Sequence, residues 1–413
     1  MRVTSLGFGS WAGRLAALVS LCVATAWAPG TLAMDEARRA AADRAIERGV
    51  AYLLSSQAED GSWMPQPGPA VTALGLRALL AQPDIGPDHP AAAKALRYVL
   101  DRAQPDGSIS EGMLANYNTA ISISALALLP DNPEAKAAKD AAVAYLRSLQ
   151  WDAGMTLPDG TTVTAEHAFY GGAGYGRHGR PDLSNTHFLV QAYHDAGLAG
   201  DDPAIQRAVA YVERCQGLPD NAMHGAAIAS DGGFIYATSI NKDLVGVPES
   251  KANPELMEQA QEMVAQGVEP AVVRQRVVGL RTYGSMTYAG FKSYVYADLE
   301  RDDPRVLAAL GWIARNWTLD RNPGMPEAFD QQGLYYMYMT LGRALSAWGE
   351  DELTLSDGRQ VNWANELVDA LVQRQQEDGS WVNGEDRWME GSPDLVTCYT
   401  LLALIEARDA AAE

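Results

Sequence analysis

The chain has 413 residues, of which 47% are hydrophobic and 20% charged, and its 52 acidic against 32 basic residues give a formal net charge of −20. The hydrophobic share is large enough for a sizeable core, which excludes a disordered acidic tail. A strongly anionic surface repels phosphate backbones and therefore excludes nucleic acid as an expected partner. The length allows two or three domains, or one large repeat architecture.

Residues 1–33 have the pattern of a secretory signal peptide. Arg2 and Arg14 precede an apolar run over 15–28, and Thr31-Leu32-Ala33 is an acceptable cleavage site. The run is shorter than the ~20 residues that span a bilayer, so cleavage is favoured over a membrane anchor. We therefore expect a secreted or periplasmic protein with no transmembrane segment, whose residues 34–413 form one domain.

Cys215 and Cys398 are the two cysteines that remain after this cleavage. Two cysteines do not make a disulfide framework, and the chain has neither a CxxC motif nor a Cys/His cluster that would indicate zinc. We interpret both as small buried apolar side chains. No metal and no cofactor is expected.

A helix–turn–helix unit repeats six times along the predicted mature chain. The first copy carries Tyr52-Leu53, Gln57 and Asp60-Gly61-Ser62-Trp63, and the sixth carries Gln375 and Asp378-Gly379-Ser380-Trp381. In each copy the first helix has apolar residues spaced three and four apart, and the second is apolar on most faces. The pattern predicts second helices of this kind at about 72–80, 119–129, 185–196, 333–345 and 396–405.

These repeats predict how the helices are arranged. A single helical hairpin cannot bury its apolar face, so neighbouring copies must stack. Six copies make an all-α protein of twelve helices. Periodicity does not distinguish an open solenoid from a closed ring, but helices apolar on nearly all sides favour closure, with those helices inside.

A polar, charged insertion at about 241–282 interrupts the repeat. Its pattern predicts two helices, at 254–267 and 269–278. One interpretation is a solvated excursion on the surface. The other is a lid over the mouth of the ring, because long insertions are often functional.

The first copy resembles a known repeat. Its Arg48-Gly49, Tyr52-Leu53, Gln57, Gly61 and Trp63 resemble the glutamine–tryptophan repeat of squalene and other triterpene cyclases, in the terpenoid cyclase and protein prenyltransferase superfamily. The resemblance implies an α/α toroid, in which six outer and six inner helices enclose a central cavity. It also implies structural roles for four residues, which are Gln57, Trp63, Gln375 and Trp381.

The catalytic motifs of that superfamily are missing from the chain. There is no Asp-x-Asp-Asp stretch, and the pairs Asp201-Asp202-Pro203 and Asp302-Asp303-Pro304 have the pattern of helix caps followed by proline in the first turn. Prenyltransferases hold zinc through Asp, Cys and His. Here Thr397-Cys398-Tyr399 resembles the sequence after that histidine, but Val396 stands in the position of the ligand.

The turns before the inner helices are the expected mouth of the cavity, and they carry the candidate site residues. Asp330 and Asp394 are the candidate proton donors, with helix capping as the alternative role of Asp330. Aromatic residues and histidines near these turns suit an apolar or sugar-ring ligand, although an ordinary packed core has the same composition. The candidates for the cavity wall are His167, Tyr175, His187, Tyr288, Tyr335, Tyr338, Trp388 and Tyr399.

Three functions follow as hypotheses. The first is a squalene-cyclase-like or prenyltransferase-like protein that binds or transforms an apolar, isoprenoid-like ligand. The second is a toroidal glycosidase or polysaccharide lyase, which requires paired carboxyl groups roughly 5–9.5 Å apart, such as Asp330 with Asp394 or Glu166. The third is a non-catalytic interaction protein that keeps the fold without the chemistry.

Overall fold

The computed structural model describes residues 34–410 except 158, 178 and 222. The predicted signal peptide, residues 1–33, lies outside the described residues, and secretion stays a prediction. No helix of the described part combines the length and the apolar character that crossing a membrane requires.

The described residues form fourteen α-helices and one short antiparallel hairpin. The helices are α1 (Glu36–Ser56), α2 (Ala70–Leu80), α3 (Pro90–Leu100), α4 (Ala115–Leu126), α5 (Pro133–Leu149), α6 (Leu183–Asp195), α7 (Pro203–Arg214), α8 (Pro254–Ala265), α9 (Pro270–Arg276), α10 (Gly284–Tyr296), α11 (Pro304–Asn316), α12 (Leu334–Trp348), α13 (Trp363–Gln373) and α14 (Pro393–Ala410). Strands β1 (Glu352–Thr354) and β2 (Gln360–Asn362) pair with Leu353 opposite Val361.

Six of these helices form a closed inner ring. In the order α2, α4, α6, α10, α12 and α14 each contacts the next, and α14 contacts α2. Their apolar composition explains this position, since α14 is buried without interruption from Leu395 to Ile405. The predicted α/α toroid of six helical hairpins is confirmed, and the question of an open solenoid or a closed ring is decided for closure.

The outer helices α1, α3, α5, α7, α11 and α13 each pack on the inner ring. The predicted caps are confirmed at two of them: an Asp202 carboxylate oxygen accepts from Ala204 N at 2.8 Å, and Asp303 accepts from Arg305 N at 2.8 Å. Proline follows each cap at the first helical position, where its missing N–H costs no hydrogen bond.

The repeat glutamines connect neighbouring hairpins. Gln57 Nε2 donates to the carbonyl oxygens of Gly61 in its own turn, at 3.0 Å, and of Ala91 in α3, at 2.9 Å. The Gln375 amide does the same for Gly379 and for Ala45 in α1, so it joins the last hairpin to the first. Two further glutamines make equivalent pairs of bonds, Gln150 and Gln216.

The repeat tryptophans fill the space between the two helices of a hairpin. Trp63 Nε1 donates to Leu53 O at 2.9 Å, and Trp381 Nε1 donates to Leu371 O at 2.8 Å. Both indoles are fully buried. The Trp63 ring packs on the backbone of Gly75 in α2, where a Cβ would stand 2.8 Å from the ring.

The insertion at about 241–282 contains α8 and α9, close to the two helices predicted there. Few of its helical residues are buried, namely Met257 and Ala260 in α8 and Val273 in α9. Its two ends are held together, because Ser250 Oγ donates to Arg281 O at 2.6 Å. The other described residues of α8 and α9 are exposed or half-buried, and the choice between a surface excursion and a lid stays a prediction.

Candidate ligand-binding site

A central cavity of about 220 Å³ lies where the inner helices begin. Five of the six inner helices, or the turns directly before them, contribute to its wall, so the closed ring brings together residues that are far apart in sequence. The cavity is lined by Leu114, Tyr117, Tyr175, Ser184, Phe188, Tyr236, Tyr283, Ser285, Met286, Gly333, Tyr336, Trp388, Met389, Glu390 and Tyr399.

The wall is mainly aromatic, and several of its hydroxyl groups satisfy one another. The hydroxyls of Tyr117 and Tyr399 lie 2.9 Å apart, and those of Tyr175 and Tyr236 lie 3.5 Å apart. Such pairing satisfies these polar atoms within the aromatic wall. An aromatic wall of this kind suits an apolar ligand.

Tyr336 has a different environment from the paired tyrosines. Its hydroxyl lies 2.5 Å from Nε2 of His187 and 3.1 Å from Oγ of Ser184. His187 is fully buried behind Tyr336 in the second layer of the wall, whereas Ser184 lines the cavity. Burial lowers the pKa of His187 well below its usual value, and the nearby Lys292 acts in the same direction, which favours the neutral imidazole.

Glu390 is the one carboxyl group among the described lining residues. Its side chain accepts from Tyr336 N at 2.7 Å and from Asn383 Nδ2 at 2.7 Å, and so it caps the start of α12. Burial raises the pKa of Glu390 to about 7, against the opposing effect of these hydrogen bonds. Near neutral pH the group is therefore partly protonated, inside an apolar cavity.

The backbone around the cavity is strained at three non-glycine residues. Leu114, Trp388 and Met389 adopt left-handed conformations with φ of 46°, 59° and 69°, and all three line the cavity. Such residues cost of order 1–3 kcal/mol each and persist where surrounding structure holds them. Trp388 and Met389 are also 38% and 37% exposed, which places them at the mouth.

The two predicted proton donors do not line the cavity. Asp330 is half-buried in the turn before α12, where its carboxylate accepts from its neighbour Gln331. Asp394 lies in the first turn of α14 and accepts from Tyr52 Oη at 3.2 Å, toward the outer helix α1. The exposed Glu166 is also absent from the wall.

Three of the eight candidate wall residues line the cavity: Tyr175, Trp388 and Tyr399. His187 stands one layer behind. His167 lies elsewhere, in a loop where its Nδ1 accepts from Phe169 N at 3.1 Å.

The other three candidates are buried away from the cavity. Tyr288 is fully buried within α10. Tyr335 and Tyr338 pack edge to face with ring centroids 5.5 Å apart, and the Tyr338 hydroxyl donates to Leu319 O. The aromatic pair that shares a face of α12 therefore points away from the cavity, and Tyr336 points into it.

The most informative residues of the site, Tyr336 and Glu390, were not selected from the sequence. Both faces of α12 are apolar and aromatic, so periodicity does not show which face meets the cavity. Glu390 precedes α14 but caps α12, a contact between residues 54 apart that no local pattern contains. The cluster Trp388-Met389-Glu390 before an inner helix was the available signal.

An ion-pair cluster closes the opposite end of the ring. Asp195 lies 2.7 Å from Arg343 and 3.3 Å from Arg77, and Glu406 lies 2.5 Å from Arg343. Arg77 lies in the last turn of α2, where a positive charge is stabilising. Arg77, Arg343 and Glu406 border a space of only about 20 Å³.

Metal-ligating groups do not assemble in the described structure: no cluster of three or more His, Cys, Asp or Glu side chains is found among residues 34–410 outside positions 158, 178 and 222. Cys215 and Cys398 are both buried and unbonded to each other. Burial raises the pKa of both thiols, so neither is a reactive thiolate.

No protein-family model matches the chain, and no curated protein matches it. Among solved structures, it is similar to the type II terpene cyclase MstE from Scytonema, at 15% identity and a TM-score of 0.48 over 90% of this chain and 99% of that chain. It is also similar to a protein from Actinoplanes (16%, TM-score 0.47, 90% and 100%) and to a glycosidase variant (10%, TM-score 0.47, 91% and 99%). Similarities at this level carry no argument about ligand or activity.

Proposed function

We propose that the protein binds a short, apolar, isoprenoid-like ligand in its central cavity and protonates it from Glu390. The observation that supports this proposal is the mainly aromatic wall of the cavity. Among its described lining residues, Glu390 is the single carboxyl group, and it is buried. An apolar ligand gains from leaving water, and an acid kept neutral by burial is able to donate a proton.

The size of the cavity narrows the ligand class. Its volume of about 220 Å³ lies below the ~300 Å³ at which pockets for drug-sized ligands begin. A complete triterpene such as squalene is too large for this space. A short isoprenoid fits, as does one end of a longer chain that leaves through the mouth.

The proposed chemistry is an isomerisation and needs no cofactor. The Glu390 proton is transferred to one carbon of an alkene, whose π electrons form the new C–H bond and leave a carbocation. A second double bond of the ligand attacks that cation and closes a ring, and the cyclised cation returns a proton to the Glu390 carboxylate, which restores both an alkene and the neutral acid. The ring faces of Phe188 and Trp388, which line the cavity, would stabilise the positive charge.

The two other hypotheses receive less support. A glycosidase requires two carboxyl groups that face one cavity, and the described lining residues contain one. A binding protein without chemistry shares the cavity and differs only in turnover. Turnover therefore has to be measured separately from binding.

The test uses the purified protein with geraniol and farnesol, and it measures binding by equilibrium depletion and products by gas chromatography with mass spectrometry. We expect both wild type and Glu390→Gln to bind, and a cyclised product from wild type that falls at least about 100-fold in the variant. Asp394→Asn, outside the cavity, should keep wild-type turnover. Binding without any product would overturn the proposed proton transfer and favour a binding protein without chemistry. If neither alcohol binds, the whole proposal is overturned.

A further inference from the structure

The hydroxyl of Tyr336 has a neighbour that supplies a hydrogen bond to its oxygen. Of the two ring nitrogens of His187, Nε2 lies 2.5 Å from that hydroxyl, and Nδ1 is buried with no hydrogen-bond partner among the described residues. The neutral imidazole carries one N–H. The position of that proton determines what the tyrosine is able to do.

The proton belongs on Nε2. A proton on Nδ1 would bury an N–H donor without an acceptor, which is rarer in proteins and more costly than an unpaired acceptor. Because His187 Nε2–H then donates to the Tyr336 oxygen, His187 does not accept the phenolic proton of Tyr336. Burial raises the pKa of Tyr336 well above its usual value, so that proton stays on the hydroxyl.

The Tyr336 donor is also held in place. Its backbone N–H donates to Glu390 at 2.7 Å, its ring lines the cavity, and its hydroxyl is anchored from behind by His187. The remaining neighbour, Ser184 Oγ at 3.1 Å, is itself able to donate to the phenolic oxygen. When both His187 and Ser184 donate to its oxygen, Tyr336 keeps its own proton free for an acceptor in the cavity.

We propose that Tyr336 donates a hydrogen bond to an oxygen atom of the ligand, which makes the ligand an oxygenated isoprenoid and not a hydrocarbon. This inference rests on the proposed function, because it assumes an isoprenoid in the central cavity. The oxygen that fits is an acceptor, as in an ether, a carbonyl group or an alcohol. An oriented donor discriminates against a ligand without an acceptor, because the phenolic proton then gains no partner in the ligand.

The test is a matched pair of ligands that differ in one atom. Geranyl methyl ether accepts hydrogen bonds and donates none, and the comparison compound is the hydrocarbon in which a methylene replaces the ether oxygen. Binding of each is measured by headspace depletion to wild type and to Tyr336→Phe. The variant removes only the hydroxyl, and its affinity for the hydrocarbon reports whether the cavity is intact.

We expect wild type to bind the ether at least roughly tenfold more tightly than the hydrocarbon, and Tyr336→Phe to bind the two equally. A wild type without this preference, or a variant that keeps it, would overturn the role of Tyr336 and leave the proposed function standing. If wild type binds neither compound, the proposed function fails and the inference fails with it.

Discussion

Glu390 shows how one residue acquires its chemistry from distant parts of the chain. Its carboxyl group is 1% exposed, and its partners are the backbone of α12 and the side chain of Asn383. Burial favours the neutral acid, whereas the hydrogen bonds favour the carboxylate, and burial is the larger effect. The same balance that suits proton donation also makes stability depend on pH.

The pKa of Glu390 predicts the direction of that dependence. Because its pKa is about 7 in the folded state and about 4.5 when unfolded, the folded state binds more protons between these values, and stability falls as the pH rises. Glu390→Gln cannot titrate. Between pH 5 and pH 8 the free energy of unfolding of wild type should therefore fall relative to that of the variant, by up to about 3 kcal/mol.

Urea unfolding of both proteins across this pH range measures the difference. The difference between the two proteins removes the contribution of titrating groups that they share. Asp182 is one such group, because burial raises its pKa to about 6. Asp330→Asn, at a half-buried site outside the cavity, is the control and should parallel wild type. Parallel pH profiles for wild type and Glu390→Gln would contradict the buried-acid interpretation.

Local residue patterns were predictable where the interaction spans a few residues. The Asp-Pro caps were read correctly, because a cap bonds to an amide two or three positions away. Tyr336 and Glu390 were not selected, because their partners His187 and Tyr336 are 149 and 54 residues distant. Contacts between side chains on different helices of the ring produce no pattern in the local sequence.

At the scale of the elements, contact between an aromatic ring and a helix backbone outweighs helix propensity. Gly75 lies inside α2, where Ala is normally preferred by ~1 kcal/mol. A Cβ there would stand 2.8 Å from the buried Trp63 ring, which cannot retreat within the hairpin. The glycine at this position of the first copy therefore lets the tryptophan ring reach the backbone of α2.

This contact predicts opposite outcomes for two Gly→Ala substitutions. Gly75→Ala should lower the free energy of unfolding by roughly 1–2 kcal/mol, because overpacking exceeds the gain in propensity. Gly311→Ala, in the outer helix α11, would meet only the flexible end of Arg315 and should raise stability by up to about 1 kcal/mol. Urea denaturation measures both, and a stabilised Gly75→Ala protein would show that the ring does not confine this site.

The elements themselves were largely predictable, including the two helices of the insertion. Outer helices have a polar face, so their 3.6-residue period is visible and their orientation follows from it. Five of the six inner helices were located but not oriented, and no range was predicted for α10. Because α12 is apolar all round, the sequence suggested the face of Tyr335 and Tyr338, whereas the structure places Tyr336 in the cavity wall.

At the scale of the whole molecule, closure of the ring determines where the central cavity forms. The ring has a wide aromatic cavity at one end and an ion-pair cluster at the other, because all its hairpins run in the same sense. Closure also brings the first and last helices together: α1 contacts α13 and α14, and Arg39 donates to Arg408 O at 3.4 Å.

This proximity predicts that a circular permutant will fold. Joining residue 410 to residue 34 with a short flexible linker, and opening the chain between Asp357 and Gly358 in the exposed turn between β1 and β2, preserves every hairpin of the ring. We expect cooperative thermal unfolding within about 5 °C of the parent. A second permutant opened at the buried Gly342, inside α12, is the control and should not fold. If both permutants lose structure equally, the first and last helices do not close the ring as described.

The sequence by itself determined the all-α class, the six hairpins, the caps and the two helices of the insertion, because these depend on contacts between residues close along the chain. Only the tertiary structure decided that the ring closes, which face of each inner helix meets the cavity, and that Glu390 and not Asp330 or Asp394 supplies the buried acid. The physical reason is that inner helices are apolar on every side. Their orientation is set by packing against both neighbours in the ring, and no single segment contains that information.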